Sequence, residues 1–114
     1  MEMVMSDVGT TTAKLALHGR LDTPGVERIE TRFTAAVVPT GKHALVDLSN
    51  VTVLTSMGIR MLIGAAKAMH QRKTKMIIFG AQDAVSDTLD HVSLAEIIPV
   101  VSTEEQALEL VSVK

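Results

Sequence analysis

Cysteine, tryptophan and tyrosine are absent from this 114-residue chain, and phenylalanine occurs only at Phe33 and Phe79. Without cysteine there can be no disulfide framework, no thiol nucleophile and no thiolate metal ligand. With two aromatic rings, the core has to be built from Val, Ile, Leu, Met and Ala, which favours an α/β layer structure over a sandwich stapled by aromatics. A long basic run is also missing. The net charge is −2 with the charges scattered, so no surface tracks a phosphate backbone and nucleic acid is not expected as a direct partner. No stretch approaches the roughly 18 uncharged apolar residues of a membrane span, and Met1-Glu-Met-Val-Met-Ser-Asp7 lacks a basic segment followed by an apolar run. The expectation is a cytoplasmic protein without direct membrane insertion, folded as one domain over residues 1–114.

What the chain does have is a clear alternation of strand and helix patterns. Met3 to Met5 and Ala13 to His18 are short apolar-rich runs separated by Val8-Gly-Thr-Thr-Thr12, a hairpin signature. Thr23-Pro24 suits an N-cap with proline at the first helical position, and Val26, Ile29, Phe33 and Val37 follow at helical spacing. Ala44 to Leu48 is apolar at nearly every position, as in a strand covered on both faces, and Ser49 to Leu54 reads as a loop. A helix is expected from about Ser56 to Arg72, a buried strand at Lys75 to Phe79, and a helix marked by Val85, Leu89 and Val92. Ile97-Ile-Pro-Val100 reads as a short edge strand because of Pro99, and Thr103-Glu-Glu-Gln106 has capping-box spacing ahead of a last helix. The predicted fold is α/β, with a mixed, mostly parallel five-stranded sheet and about four helices.

Enzyme signatures fail at specific positions. A nucleophile elbow needs small residues around its serine, whereas Leu54-Thr-Ser-Met-Gly58 puts Leu54 where the first glycine belongs and bulky Met57 beside Ser56. His18, His43, His70 and His91 share no metal-ligand spacing, and no phosphate-binding glycine loop is present. No metal, cofactor or catalytic set is therefore expected. Asp22 and Asp47 both fall near strand ends. On neighbouring strands they would flank the Ser56 loop; equally, Asp22 can cap the helix at Pro24 and Asp47 can hold backbone donors.

Ser56 stands at the start of a helix that follows a central strand, a place where α/β proteins put recognition or chemistry. It is expected as the N-cap, with Thr55 as the alternative. A phosphate there would meet unpaired N–H groups and the positive end of the helix dipole. At about 100° per residue, Ile59, Leu62, Ile63 and Ala66 form the face expected on the sheet. Met57, Met61, Gly64 and Ala68 then face outward, flanked by Arg60, Lys67 and Gln71. Such an apolar outer stripe suits a protein interface, a neighbouring helix, or the pairing of two copies into a homodimer.

Val46-Asp-Leu-Ser-Asn-Val-Thr-Val-Leu-Thr-Ser-Met-Gly-Ile-Arg-Met-Leu62, with Gly19-Arg-Leu-Asp22 upstream and Ser102-Thr-Glu-Glu-Gln-Ala-Leu108 near the end, resembles a STAS domain, the fold of bacterial anti-sigma factor antagonists. The resemblance implies a partner-switching protein without catalytic activity. Such an antagonist binds an anti-sigma factor that is also a serine kinase, is phosphorylated by it at the helix start, and is restored by a PP2C-type phosphatase. By position the acceptor is Ser56, with Thr55 second. Asp22 matches the family's Gly-x-Leu-Asp aspartate, and Asp22, Thr55, Ser56, Met57, Arg60, Met61, Gly64 and Ala68 form the expected partner surface. Met57 departs from the small residue usual after the acceptor and bears on which kinase can dock. Other STAS domains serve as subunits of membrane or lipid transport complexes, bind nucleotides, or act as unphosphorylated regulators, and these remain alternatives.

Overall fold

A computed structural model describes residues 1–111. Its elements are β1 (Glu2–Val8), β2 (Thr12–Leu21), α1 (Thr23–Val37), β3 (His43–Leu54), α2 (Ser56–Gln71), β4 (Met76–Phe79), α3 (Asp83–His91), β5 (Val100–Val101) and α4 (Glu104–Val111). The strands lie side by side in chain order, β1 antiparallel to β2 and the rest parallel. This is the mixed, mostly parallel sheet that the alternating pattern predicts.

Period-two alternation divides the interior into two layers. Ala13, Leu15 and Leu17 of β2, Ala44, Val46 and Leu48 of β3, and Met76 and Ile78 of β4 meet the buried stripes of α1, α2 and α3 on one side. Leu45, Ile77 and Phe79 point the other way, onto Ala107 of α4. β4 is buried at every residue because both faces are covered. The α1 stripe is Val26, Ile29, Phe33 and Val37, as the spacing dictates. The capping box of α4 forms: the Gln106 amide N–H donates to Thr103 Oγ1 at 3.2 Å, and Gln106 Oε1 accepts from the Ser102 and Thr103 N–H groups.

Three expectations are corrected. Ser49 to Leu54 is not a loop, because β3 continues to Leu54 and pairs with the end of β2. β3 carries two bulges, one at the polar Ser49-Asn50 step, between the pairs Ala16↔Asp47 and His18↔Asn50, and one at Thr52, between Gly19↔Val51 and Arg20↔Val53. Each bulge shifts the inward alternation by one residue, so a single period cannot be followed through it. The cap of α1 is Asp22 rather than Thr23. The last strand begins after Pro99, at Val100, while Leu94 and Ile98 ahead of it fill the main core.

Candidate functional site

The site lies at the carboxyl ends of β2 and β3. Leu21 and Leu54 are paired in register, and each strand passes into a helix through one residue, Asp22 or Thr55. Two helix N-termini therefore stand side by side at one end of the sheet, and Asp22 and Ser56 are brought to the same place.

Asp22 is a built cap. Its Oδ1 accepts from the Gly25 N–H at 3.0 Å, and Arg20 Nε lies 3.1 Å from its Oδ2. The Gly25 N–H, and then the Arg20 guanidinium, hold its carboxyl below the usual carboxylate range. Gly25 is required at this position, since a Cβ there would collide with the Arg20 carbonyl.

The hydroxyl pair divides its work. Thr55 is the N-cap residue of α2 but makes no side-chain cap. Its N–H and its Oγ1 both donate to the Leu21 carbonyl, at 3.1 and 3.0 Å. The hydroxyl is consumed in joining the two strand ends. Ser56 occupies the first helical turn, exposed, and its hydroxyl has no hydrogen-bond partner among the described residues. The expectation that Ser56 caps the helix is thus corrected, and the first N–H groups of α2 carry no side-chain cap. No histidine or carboxylate bonds to Ser56 among the described residues, so its oxygen has the ordinary weak nucleophilicity of a serine.

Gly58 is a site-building residue that the sequence reading did not single out. A Cβ there would lie 2.7 Å from Leu21 Cδ2 and 2.9 Å from the Leu21 carbonyl oxygen. Gly25 and Gly58 each hold the third position of a helix, and each lets that helix dock on the end of β2. That repeated placement was the available signal.

Two further placements are corrected. Asp22 and Asp47 do not flank one loop: Asp47 pairs with Ala16 and Phe79, on the order of 20 Å of strand from Thr55. Its Oδ1 accepts from the Ser49 N–H at 2.9 Å, the backbone role foreseen for it. The faces of α2 are rotated by roughly a quarter-turn from the expected ones. Its buried residues are Gly58, Met61, Leu62, Ala65 and Met69. Met61 is 3% exposed, part of the core and not of an outer stripe. Ile59, Ile63 and Ala66 are only partly buried, as are Met57 and Ala68. The physical reason is that α1 packs alongside α2, so this helix buries a flank as well as its underside. Ser56, Arg60, Gly64, Lys67 and Gln71 remain exposed.

The chain matches the STAS domain family over residues 5–107. The anti-sigma-B factor antagonist of Listeria monocytogenes is 24% identical over 86 residues, 75% of each chain. An anti-sigma factor antagonist from Mycobacterium paratuberculosis shares the fold with a TM-score of 0.86 at 20% identity, over 96% of this chain and 92% of that one. The phosphorylated form of the Bacillus cell fate determinant SpoIIAA gives a TM-score of 0.72 at 18% identity, over 96% and 99%. At these identities the structural likeness speaks for the fold alone, but the family match covers most of the sequence. The chain belongs to the STAS domain family.

Proposed function

We propose that this protein is an anti-sigma factor antagonist that binds an anti-sigma factor serine kinase through the end of the sheet carrying Asp22 and Ser56. Phosphorylation of Ser56 by that kinase releases it, and a PP2C-type phosphatase restores it. The observation that carries this reading is the division of the hydroxyl pair. Ser56 is exposed at the first turn of α2 with its oxygen free among the described residues, while the Thr55 hydroxyl is bonded to the Leu21 carbonyl. A kinase can reach the first without disturbing the fold and the second only by breaking a strand-end contact. A phosphoserine there brings about −1.5 to −2 charges beside the Asp22 carboxylate, which opposes any acidic partner group docked at this end. The relatives named as anti-sigma factor antagonists, and the phosphorylated form known for SpoIIAA, support the same reading.

The docking surface consists of Ser56, Arg60 and Gly64 along the exposed side of α2, with Met57 and Asp22 at its edge. Met61 is left out because it is buried, and Ala68 lies half-buried farther along the helix. Incubation with the anti-sigma kinase and ATP, followed by mass-spectrometric mapping, is expected to place phosphate on Ser56 and none on Ser56→Ala. Phosphate found on neither hydroxyl sinks the switch, and phosphate on Thr55 alone refutes the division of roles. Ser56→Asp is expected to fold normally yet lose kinase binding, whereas Ser56→Ala binds whether or not ATP is present.

A further inference from the structure

β1 is the edge of the sheet, and its inner side pairs with β2 in unbroken register from Glu2↔His18 to Val8↔Thr12. Its outer N–H and C=O groups face no strand among the described residues. Soluble proteins blunt such edges with proline, lysine, a bulge or a very short strand. β1 is 7 residues long, Glu-Met-Val-Met-Ser-Asp-Val, with no proline, lysine or bulge, and its two charges, Glu2 and Asp7, stand near its ends and leave the middle uncharged. The opposite edge, β5, has 2 residues and follows Pro99. Val4 and Met5, at the middle of β1, are 56% and 55% exposed, the two most exposed large hydrophobic residues among those described.

We propose that this edge is a self-association surface: β1 pairs antiparallel with β1 of a second copy about a two-fold axis at Met5, joining the two sheets into one. Antiparallel pairing of a strand with itself is isologous and closes at two copies. Met5 is the midpoint of β1, so this register engages every residue of the strand. It sets Met5 against its own counterpart, Val4 against Ser6, Met3 against Asp7 and Glu2 against Val8, and no like charges meet. The next register that keeps each face, with the axis at Val4, would set Met5 rather than Asp7 against Met3 and leave Asp7 and Val8 without a partner in the other β1.

Charge on the helix-bearing side favours a second copy over an arbitrary strand. Met3 is paired with core residue Leu17, so Met3 and whatever lies opposite it in the new pair share the face that carries α1. There Met3 lines a cleft of about 490 Å³ together with Arg28 and Arg32 of α1 and a single carboxylate, Glu2, that is paired with neither arginine among the described residues. Neither arginine forms an ion pair among the described residues. The residue set against Met3 is Asp7 of the second copy, which brings a carboxylate to two unpaired guanidinium groups, twice by symmetry. In each copy Asp7 also keeps Lys42 Nζ at 3.0 Å. This pairing uses the β1 edge rather than Ser56 and does not depend on the proposed switch, although Arg28 also borders Asp22.

The absence of cysteine makes the register directly testable. Residues directly opposite in an antiparallel pair have Cα atoms about 4.5–5.5 Å apart, within the span a disulfide bridges. In sedimentation across a concentration series, the wild-type chain is expected to rise from monomer toward twice the monomer mass. Under mild oxidation Met5→Cys is expected to form a disulfide-linked dimer several-fold faster than Thr10→Cys, placed on the exposed turn, with Val4→Cys no faster than that control. A wild-type chain that stays monomeric throughout overturns the proposal, as do equal oxidation rates for Met5→Cys and Thr10→Cys. Protection of β1 amides from hydrogen exchange only when an anti-sigma factor is added would assign the edge to that protein's strand, and self-pairing would fail.

Discussion

Thr55 and Ser56 are chemically near-equivalent neighbours that the fold makes unequal. The Leu21 carbonyl takes both donors of Thr55, 34 residues away in sequence, which fixes that side chain and leaves Ser56 outside. Thr55→Val keeps the shape and removes one of the two hydrogen bonds that Thr55 donates to the carbonyl of buried Leu21. It is expected to destabilise the protein by about 1 kcal/mol in urea unfolding. Ser56→Ala is expected to change stability by less than about 0.5 kcal/mol. The hydroxyl pair was legible in the sequence; its division was not, because the partner that decides it belongs to a distant strand. Asp22 was legible as a cap, and its lowered pKa has a direction that can be checked. The stability its ionised form contributes is present above the unfolded-state value near 3.9 and is lost as pH falls through the lower folded value. The stability curve of Asp22→Asn, followed by thermal unfolding, is expected to be flatter than that of wild type below about pH 4.

At the scale of one element, α2 carries two glycines that make opposite predictions. Gly58→Ala drives a Cβ against Leu21, including its carbonyl, and is expected to cost about 1–3 kcal/mol despite alanine's better helix propensity. Gly64 has nothing within 4 Å of an added Cβ, so Gly64→Ala is expected to stabilise by up to about 1 kcal/mol. Denaturant midpoints of the two variants check both signs in one experiment. Met61→Ala separates the buried from the exposed reading of this helix: burial at 3% exposure predicts a loss of about 2–5 kcal/mol, whereas an outer position predicts almost none. Helical spacing in the sequence showed that α2 has apolar residues on more than one side. It could not show which side meets the sheet, because the flank turned toward α1 is as apolar as the underside. The same limit applies to β3, where the bulges around Ser49 and Thr52 break the period that marks a strand.

For the whole molecule, the order of strands and helices and the covering of β4 on both faces followed from hydrophobic patterning, since a parallel sheet leaves few other ways to bury such runs. The meeting of Asp22 and Ser56 at one end depended on strand register, which no local pattern encodes. The opposite end is held partly by His43, whose Nδ1 accepts from the Lys75 N–H at 3.0 Å, linking the starts of β3 and β4. Burial, and then the Lys75 charge, lower its pKa. The unfolded chain takes up a proton near pH 6.5 that the folded one resists, so stability is expected to fall as pH drops from about 6.5 toward the folded value. His43→Gln should lessen that slope in thermal unfolding followed against pH. The two ends also differ in slack. Helix-to-strand connections run through residues 38–42 and 72–75, while β2 reaches α1 through Asp22 alone and β3 reaches α2 through Thr55 alone. An added residue at either single-residue junction would rotate a helix out of place, whereas the opposite end can absorb one. Neither junction beside Ser56 has a loop to rearrange: a message received there would be written as charge on an unmoved backbone, and a partner would read it by repulsion rather than by shape.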